Sequence, residues 1–150
     1  MVMKRETGRG LIINNGRVIL MERWRDGQHY FSIPGGGIEG NETPEQAARR
    51  EILEEFGLDV DVGQKVYEMS TSDIRHHIFL CQYKGGEPVL QAGSPEAVAQ
   101  AQGDNRYLPR WIDIEDIATI PLMYWEPLRE HLLTDIENGF GVETKTITVN

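Results

Sequence analysis

Apolar positions along the first third of the chain fall in short runs broken by turn residues. Gly10–Ile13 and Val18–Met21 flank Asn14-Asn15-Gly16. An Asn-Gly pair between such runs predicts a tight β-hairpin, because both residues tolerate positive φ. A third strand is predicted over Tyr30–Ile33, stopping at Pro34-Gly35-Gly36-Gly37. The spacing then changes from strand-like to helical. Thr43 is a good N-cap, Pro44 suits the first helical position, and Gln46 completes a Thr-x-x-Gln capping box. Gly57 supplies a left-handed stop, so the helix is predicted from Pro44 to Phe56. Leu58–Met69 and Ile74–Tyr83, rich in Val, Ile, Tyr and Phe, read as strands. Ser94-Pro95-Glu96 opens a short helix ending at Gly103, and Arg110–Ile112 is a further strand with Asp113 capping a short turn of helix. Leu128, Leu132, Leu133 and Ile136 predict an amphipathic helix over Trp125–Ile136. The tail Thr144–Asn150 reads as an edge strand or a disordered end. Hairpin links in place of regular βαβ units argue for an α+β chain, a mixed sheet covered by helices, and against a doubly wound nucleotide fold.

Composition narrows the setting. The chain has 150 residues, enough for a single domain over 1–150. Its formal charge of −9 disfavours bulk nucleic acid and anionic membrane as partners. The longest apolar runs have four residues, too short to span a bilayer. Met1–Gly10 has no apolar segment of a secretory signal, so a cytoplasmic location is expected. Cys81 is the single cysteine, and within an apolar run it reads as a small core residue. The four histidines lack zinc-site spacing, and His76 and His77 point to opposite faces of a strand.

The candidate chemistry lies in Gly36–Leu58. At about 100° per residue, Glu51, Glu54 and Glu55 share one face within a turn, predicted to point outward. Ala48, Ile52 and Phe56 form the buried stripe, with Leu53 on its edge. Like charges at i,i+4 cost roughly 0.2–0.5 kcal/mol per pair, and a hard divalent cation, Mg²⁺ or Mn²⁺, would offset that repulsion. Arg50, beside Glu51 and four residues before Glu54, is placed to fix a carboxylate rotamer. Gly35, Gly36, Gly37 and Gly40 let the backbone approach a metal or phosphate closely.

A charged helix face by itself usually means only solvation. Here Gly36, five residues, Glu42, seven residues and Arg50-Glu51-Ile52-Leu53-Glu54-Glu55-Phe56-Gly57-Leu58 resemble the signature of the Nudix hydrolase superfamily at every specified position. Seven fixed residues coincide by chance on the order of once in 10⁸ starting points, which sets the solvation reading aside. The resemblance implies an α/β/α sandwich over about Lys4 to Ile136. It also implies hydrolysis of a pyrophosphate bond in a small nucleoside diphosphate-linked substrate with Mg²⁺ or Mn²⁺. By the same comparison Glu51, Glu54, Glu55 and the carbonyl of Gly35 are metal ligands, Arg50 orients the glutamates, and Gly36, Glu42 and Gly57 are structural. Glu51 and Glu54 with Arg50 form the catalytic set, and homodimers occur in the family. The general base is left open among Glu51, Glu96 and Asp104. The competing function is a sensing module that binds a nucleotide or ADP-ribose without cleaving it. Such modules lose helix glutamates, whereas this chain keeps all three. Outside the motif, Arg23, Trp24, Arg25, Tyr30 and Tyr107 are candidates to grip phosphates or stack on a base. Trp24–Tyr30 and Gln91–Tyr107 are the expected specificity segments.

Overall fold

The computed structural model describes residues 4–149. The first three residues of the N-terminal segment and Asn150 of the tail lie outside them. Eight strands are formed: β1 (Arg5–Asn14), β2 (Arg17–Arg25), β3 (Gln28–Ser32), β4 (Gly35–Gly37), β5 (Val60–Ser70), β6 (Ile74–Tyr83), β7 (Arg106–Asp113) and β8 (Lys145–Thr148). The helices are α1 (Pro44–Phe56), α2 (Pro95–Gln102) and α3 (Arg129–Asn138), with 3-10 turns at Ile114–Ala118 and Met123–Leu128. The sheet runs β3-β2-β1-β6-β5-β8, with β4 beside β1 and β7 beside β2. The β1–β6 and β5–β8 pairs are parallel and the others antiparallel, so the sheet is mixed.

Alternation along the central strands divides the interior into two cores. Leu11, Leu20 and Ile78 face one side, with Trp125, Leu128 and Leu132. Their neighbours Ile12, Ile19 and Phe79 face the other, with Ala48, Ile52 and Phe56 of α1. This is the α/β/α sandwich. The fit of α1 is close: a Cβ on Gly8 would lie 2.1 Å from the Pro44 carbonyl oxygen, so any larger residue there would push the helix off the sheet.

The local signals act as expected around α1. Thr43 and Gln46 form both halves of the capping box, and Gly57 adopts the left-handed conformation with its N–H bonded to the Leu53 carbonyl. Asn15 and Gly16 take positive φ at the hairpin, and Cys81 is buried with its thiol pushed up to about 12 by desolvation. His76 faces Trp125 while His77 meets Glu6, on opposite sides of β6.

Three expectations are corrected, and the choice left open for the tail is resolved. The glycine segment is a short strand and not only a loop, because Gly35, Gly36 and Gly37 pair with Arg9, Gly8 and Thr7. The C-terminal helix begins at Arg129; Pro127 has no N–H to donate, and the preceding turn is 3-10. Asp113 makes no side-chain capping bond. The tail resolves as strand β8, parallel to β5, with Tyr67 opposite Lys145 and Ser70 opposite Thr148.

Candidate active site

Strand β4 and helix α1 bring the motif together. A Cβ on Gly36 would stand 2.6 Å from the Glu51 carboxyl carbon, so only glycine lets that carboxylate lie against the strand. Arg50 is the hub. Its Nε and Nη2 donate to the two Glu42 carboxylate oxygens at 2.7 and 2.9 Å. Its Nη1 donates to Glu51 Oε1 at 2.9 Å and Glu54 Oε2 at 3.2 Å, and Nη2 reaches the Gly37 carbonyl at 3.0 Å. Glu42 also accepts from the Glu39 N–H. These bonds hold the Glu42 carboxyl below the usual carboxylate range, Arg50 being the first cause, and they raise the Arg50 pKa further.

The glutamate face is not uniformly outward. Glu54 is solvent-facing, but Glu55 is only 4% exposed, whereas Leu53 is 50% exposed. The turn of α1 that buries Phe56 carries Glu55 inward and leaves Leu53 outside. Burial, then the nearby charge of Glu96, pushes the Glu55 carboxyl well above its ordinary range. The Glu55 Oε2 and Glu96 Oε2 atoms are both buried without a hydrogen-bond partner. Such atoms carry a desolvation cost that a cation or a proton relieves. Among the described residues no group of three acidic, His or Cys side chains already converges in a metal-binding arrangement. Arg50 draws Glu51 and Glu54 to itself, while Glu55 turns toward Glu96. The donor set is nonetheless all oxygen, as a hard divalent ion requires, and its buried Glu55 Oε2 lacks a partner. The residues fit the ion.

Glu51, Glu55 and Glu96 open into a cavity of about 1040 Å³ that also exposes Gly35, Arg23 and Arg25. Arg23 is fixed by donating from Nε to Ser32 Oγ at 2.7 Å and by lying over the Tyr107 ring at 5.3 Å. Tyr107 itself is buried in the α1-side core. Trp24 is placed apart. Its ring stacks on His29 at 4.9 Å with Arg106 on it at 4.8 Å. It borders a separate hollow, shared with Asp104, so the structure does not bring Trp24 or Asp104 to the glutamates.

Sequence reasoning passed over Arg9. Arg9 donates from Nη1 to the carbonyls of Ile33 at 2.9 Å and Gly35 at 3.4 Å, and it lies 4.9 Å from the Trp125 ring centroid. Burial lowers its pKa to about 10, which leaves it charged at neutral pH. The signal available was an arginine set between two glycines immediately before the apolar run Leu11–Ile13. Beside it, His76 Nδ1 must accept, since Arg9 Nε can only donate. Thr7 Oγ1 lies 2.7 Å from the same nitrogen, and burial drives His76 down to about 3.

In this mixed-sheet sandwich Glu51 and Glu55 of α1 border a cleft that Arg9, Arg23 and Arg25 also line, a charge arrangement suited to phosphate groups. A NUDIX domain model matches residues 4–135. The chain belongs to the Nudix family of pyrophosphohydrolases. It is similar to an RNA pyrophosphohydrolase of Psychromonas ingrahamii, 32% identical over 133 residues, covering 81% of this chain and 69% of that relative. It is also similar to the oxidized purine nucleoside triphosphate hydrolase of Danio rerio, 35% identical over 114 residues, covering 71% and 65%. The chain thus spans about two thirds of the length of each. The fold is shared with an ADP-ribose pyrophosphatase from Streptococcus suis, at a TM-score of 0.70 and 19% identity, covering 96% of this chain and 99% of that one. No helix among the described residues is long and apolar enough to cross a membrane.

Proposed function

We propose that this chain hydrolyses a pyrophosphate bond in a small nucleotide, a nucleoside triphosphate or a nucleotide derivative, with Mg²⁺ or Mn²⁺ held by Glu51, Glu54, Glu55 and the Gly35 carbonyl. The observation that carries the reading is the buried, unpartnered Oε2 of the ligand candidate Glu55, beside the unpartnered Oε2 of Glu96, in the same cleft as Glu51, Arg9 and Arg23. A divalent ion bound there would neutralise phosphate charge and acidify a water. The chain's own residues supply the remainder. Arg50 holds Glu51 and Glu54 in place, and its bidentate grip on Glu42 anchors it to the loop. Arg9 and Arg23 are restrained guanidinium groups suited to phosphate oxygens. Glu96, whose Oε2 is unpartnered, is the general base that accepts the proton of the attacking water; Glu51 is engaged by Arg50, and Asp104 lies in the other hollow. General-base help of this kind contributes typically ~10²–10⁴ in rate. The two relatives named above are an RNA pyrophosphohydrolase and an oxidized purine nucleoside triphosphate hydrolase, names that support a phosphoanhydride of a nucleotide as the substrate. A panel of nucleoside triphosphates and nucleotide sugars with Mg²⁺, reading phosphate against pyrophosphate release, tests the proposal. Turnover of at least one anhydride is expected; none with Mg²⁺ or Mn²⁺ would refute it.

A further inference from the structure

Helix α2 carries Glu96 into the cleft beside Glu55, yet it has little apolar hold on the rest of the molecule. None of its residues is buried, and of its apolar side chains Ala99 is the one that packs, half-buried, against the α1-side core. The Glu96 Oε2 atom is nonetheless buried without a hydrogen-bond partner, next to the charge of Glu55. Two carboxylates so placed repel, and an unpaired buried oxygen keeps its desolvation cost. Left to these forces, α2 would swing outward. Its position must come from polar bonds.

Those bonds start at the end of α1. The last turn of a helix leaves carbonyls without partners of their own, and residues 87–94 supply them. Gln91 N–H donates to the Glu55 carbonyl and Val89 N–H to the Phe56 carbonyl, each at 3.0 Å. The Gln91 side chain lies on Gly57, where a Cβ would stand 2.4 Å from its Nε2. Ser94 then binds Gln91 twice, its N–H donating to the Gln91 carbonyl at 3.0 Å and its Oγ donating to the same carbonyl at 2.8 Å. The same Oγ accepts from Ala97 N–H at 3.1 Å and caps α2. Ser94 is 2% exposed, so water does not compete for these bonds. At the far end of α2, Tyr107 N–H donates to Gln100 Oε1 at 2.8 Å. Glu96 stands two residues after Ser94. The backbone of Glu55 is therefore tied, through Gln91 and Ser94, to the start of the helix that bears Glu96.

We infer that Ser94 is a positioning residue of the reaction: its hydroxyl, bonded to Gln91 and capping α2, fixes the Glu96 carboxylate beside Glu55. This rests on the hydrolase reading above, in which Glu96 accepts the proton of the attacking water, and adds what aims it. The hydroxyl gives its one proton to Gln91 and accepts from Ala97, so Ser94 acts on the reaction through Glu96. A general base must stand within hydrogen-bond reach of the proton it takes, and a misplacement of about 1 Å costs on the order of 10²-fold.

The test measures kcat and KM with Mg²⁺ and the best anhydride of the nucleotide panel. It compares wild type, Ser94→Ala, Ser94→Thr, Glu96→Gln and the double variant that joins Ser94→Ala to Glu96→Gln. Ser94→Ala is expected to lower kcat by about 10- to 100-fold with KM within about twofold. Loss of the cap lowers its melting temperature by no more than about 6 °C, so the variant stays folded in the assay. Ser94→Thr keeps the donor and the acceptor and should recover most of kcat. Added to Glu96→Gln, Ser94→Ala should lower kcat by less than about threefold, because the group it positions is already gone. Amide hydrogen exchange gives a readout that needs no turnover. In Ser94→Ala the amides of α2 should exchange about 2- to 30-fold faster, while those of α1 keep wild-type protection. An unchanged kcat in Ser94→Ala, an equal fold loss with and without the Glu96 carboxylate, or unchanged exchange over α2 overturns the inference. A wild type that cleaves nothing overturns the hydrolase reading instead; faster α2 exchange in Ser94→Ala would then uphold the tether, and unchanged exchange would overturn it as well.

Discussion

Replacing Arg50 by Gln removes the side chain that ties the loop before α1 to the helix. Five hydrogen bonds are lost, two of them the bidentate pair on Glu42. Arg50, Glu42 and Glu51 are 22%, 20% and 15% exposed, between two limiting cases. Exposed ion pairs contribute about 0–1 kcal/mol, and removing one partner of a fully buried pair costs about 3–5 kcal/mol. A loss of about 2–4 kcal/mol follows. At about 3 °C per kcal/mol for a domain of this size, Arg50→Gln melts about 6–12 °C lower at pH 7 without divalent ions. The pH dependence gives a sharper check. Glu42 is held below its ordinary value of 4.5, first by Arg50. Its contribution is therefore present above the unfolded value and lost as pH falls through the lower folded value. The gap between wild type and Arg50→Gln should be full at pH 6–7 and narrow below about pH 4.5. Arg50→Lys keeps the charge without the fork, and should recover less than half of the gap. Differential scanning fluorimetry from pH 3 to 8 measures all of this. A melting temperature for Arg50→Gln within about 1 °C of wild type at pH 7, or a gap that does not change with pH, would show that Arg50 does not anchor the loop through Glu42.

Saturating Mg²⁺ or Mn²⁺ should raise the wild-type melting temperature, by about 2.7 kcal/mol of stabilisation at a hundred times Kd; Glu55→Gln, which keeps the shape of a neutral carboxyl, should fold at least as stably without metal and lose most of that rise. An equal rise in the variant would place the ion elsewhere. His76 is neutral when folded, held down to about 3 from 6.5, so stability is lost as pH falls below 6.5 at up to about 1.4 kcal/mol per pH unit. Chemical denaturation of wild type against His76→Gln at pH 7, 6 and 5 reads this as a shallower slope in the variant; identical slopes would show that His76 binds its proton equally when folded. Trp24→Ala should leave KM for nucleotides within about twofold, because Trp24 borders the hollow with Asp104. A tenfold rise would bring the β2–β3 hairpin into the substrate site.

Local signals carried the reading of α1 and its loop. The capping box, the Gly57 stop and the i, i+3, i+4 glutamates depend on residues within a few positions of one another, and such spacing is visible in sequence. Nothing in the glutamate spacing said that Glu55 would be buried and Leu53 exposed, since that depends on how α1 rolls onto the sheet at Gly8. The pairing of Gly35–Gly37 with β1 was hidden for a related reason: glycine has low strand propensity, and the partner residues Thr7–Arg9 lie 26 to 30 positions earlier. The aromatic candidates were the hardest. Trp24 and Tyr30 are six residues apart on paired strands, yet one borders the hairpin hollow and the other the cleft.

Whether the glutamate face of α1 acts through a divalent ion on a phosphoanhydride is read from the rate of pyrophosphate-bond cleavage against Mg²⁺ concentration for wild type and Glu54→Gln. The substrate should be the best one from the nucleotide panel, at saturation. Wild type should show no turnover in EDTA and a rise with Mg²⁺, and Glu54→Gln a drop on the order of 10²-fold at limiting Mg²⁺ with the melting temperature preserved. Full turnover in EDTA, or a Glu54→Gln variant as active as wild type at limiting Mg²⁺, would contradict it.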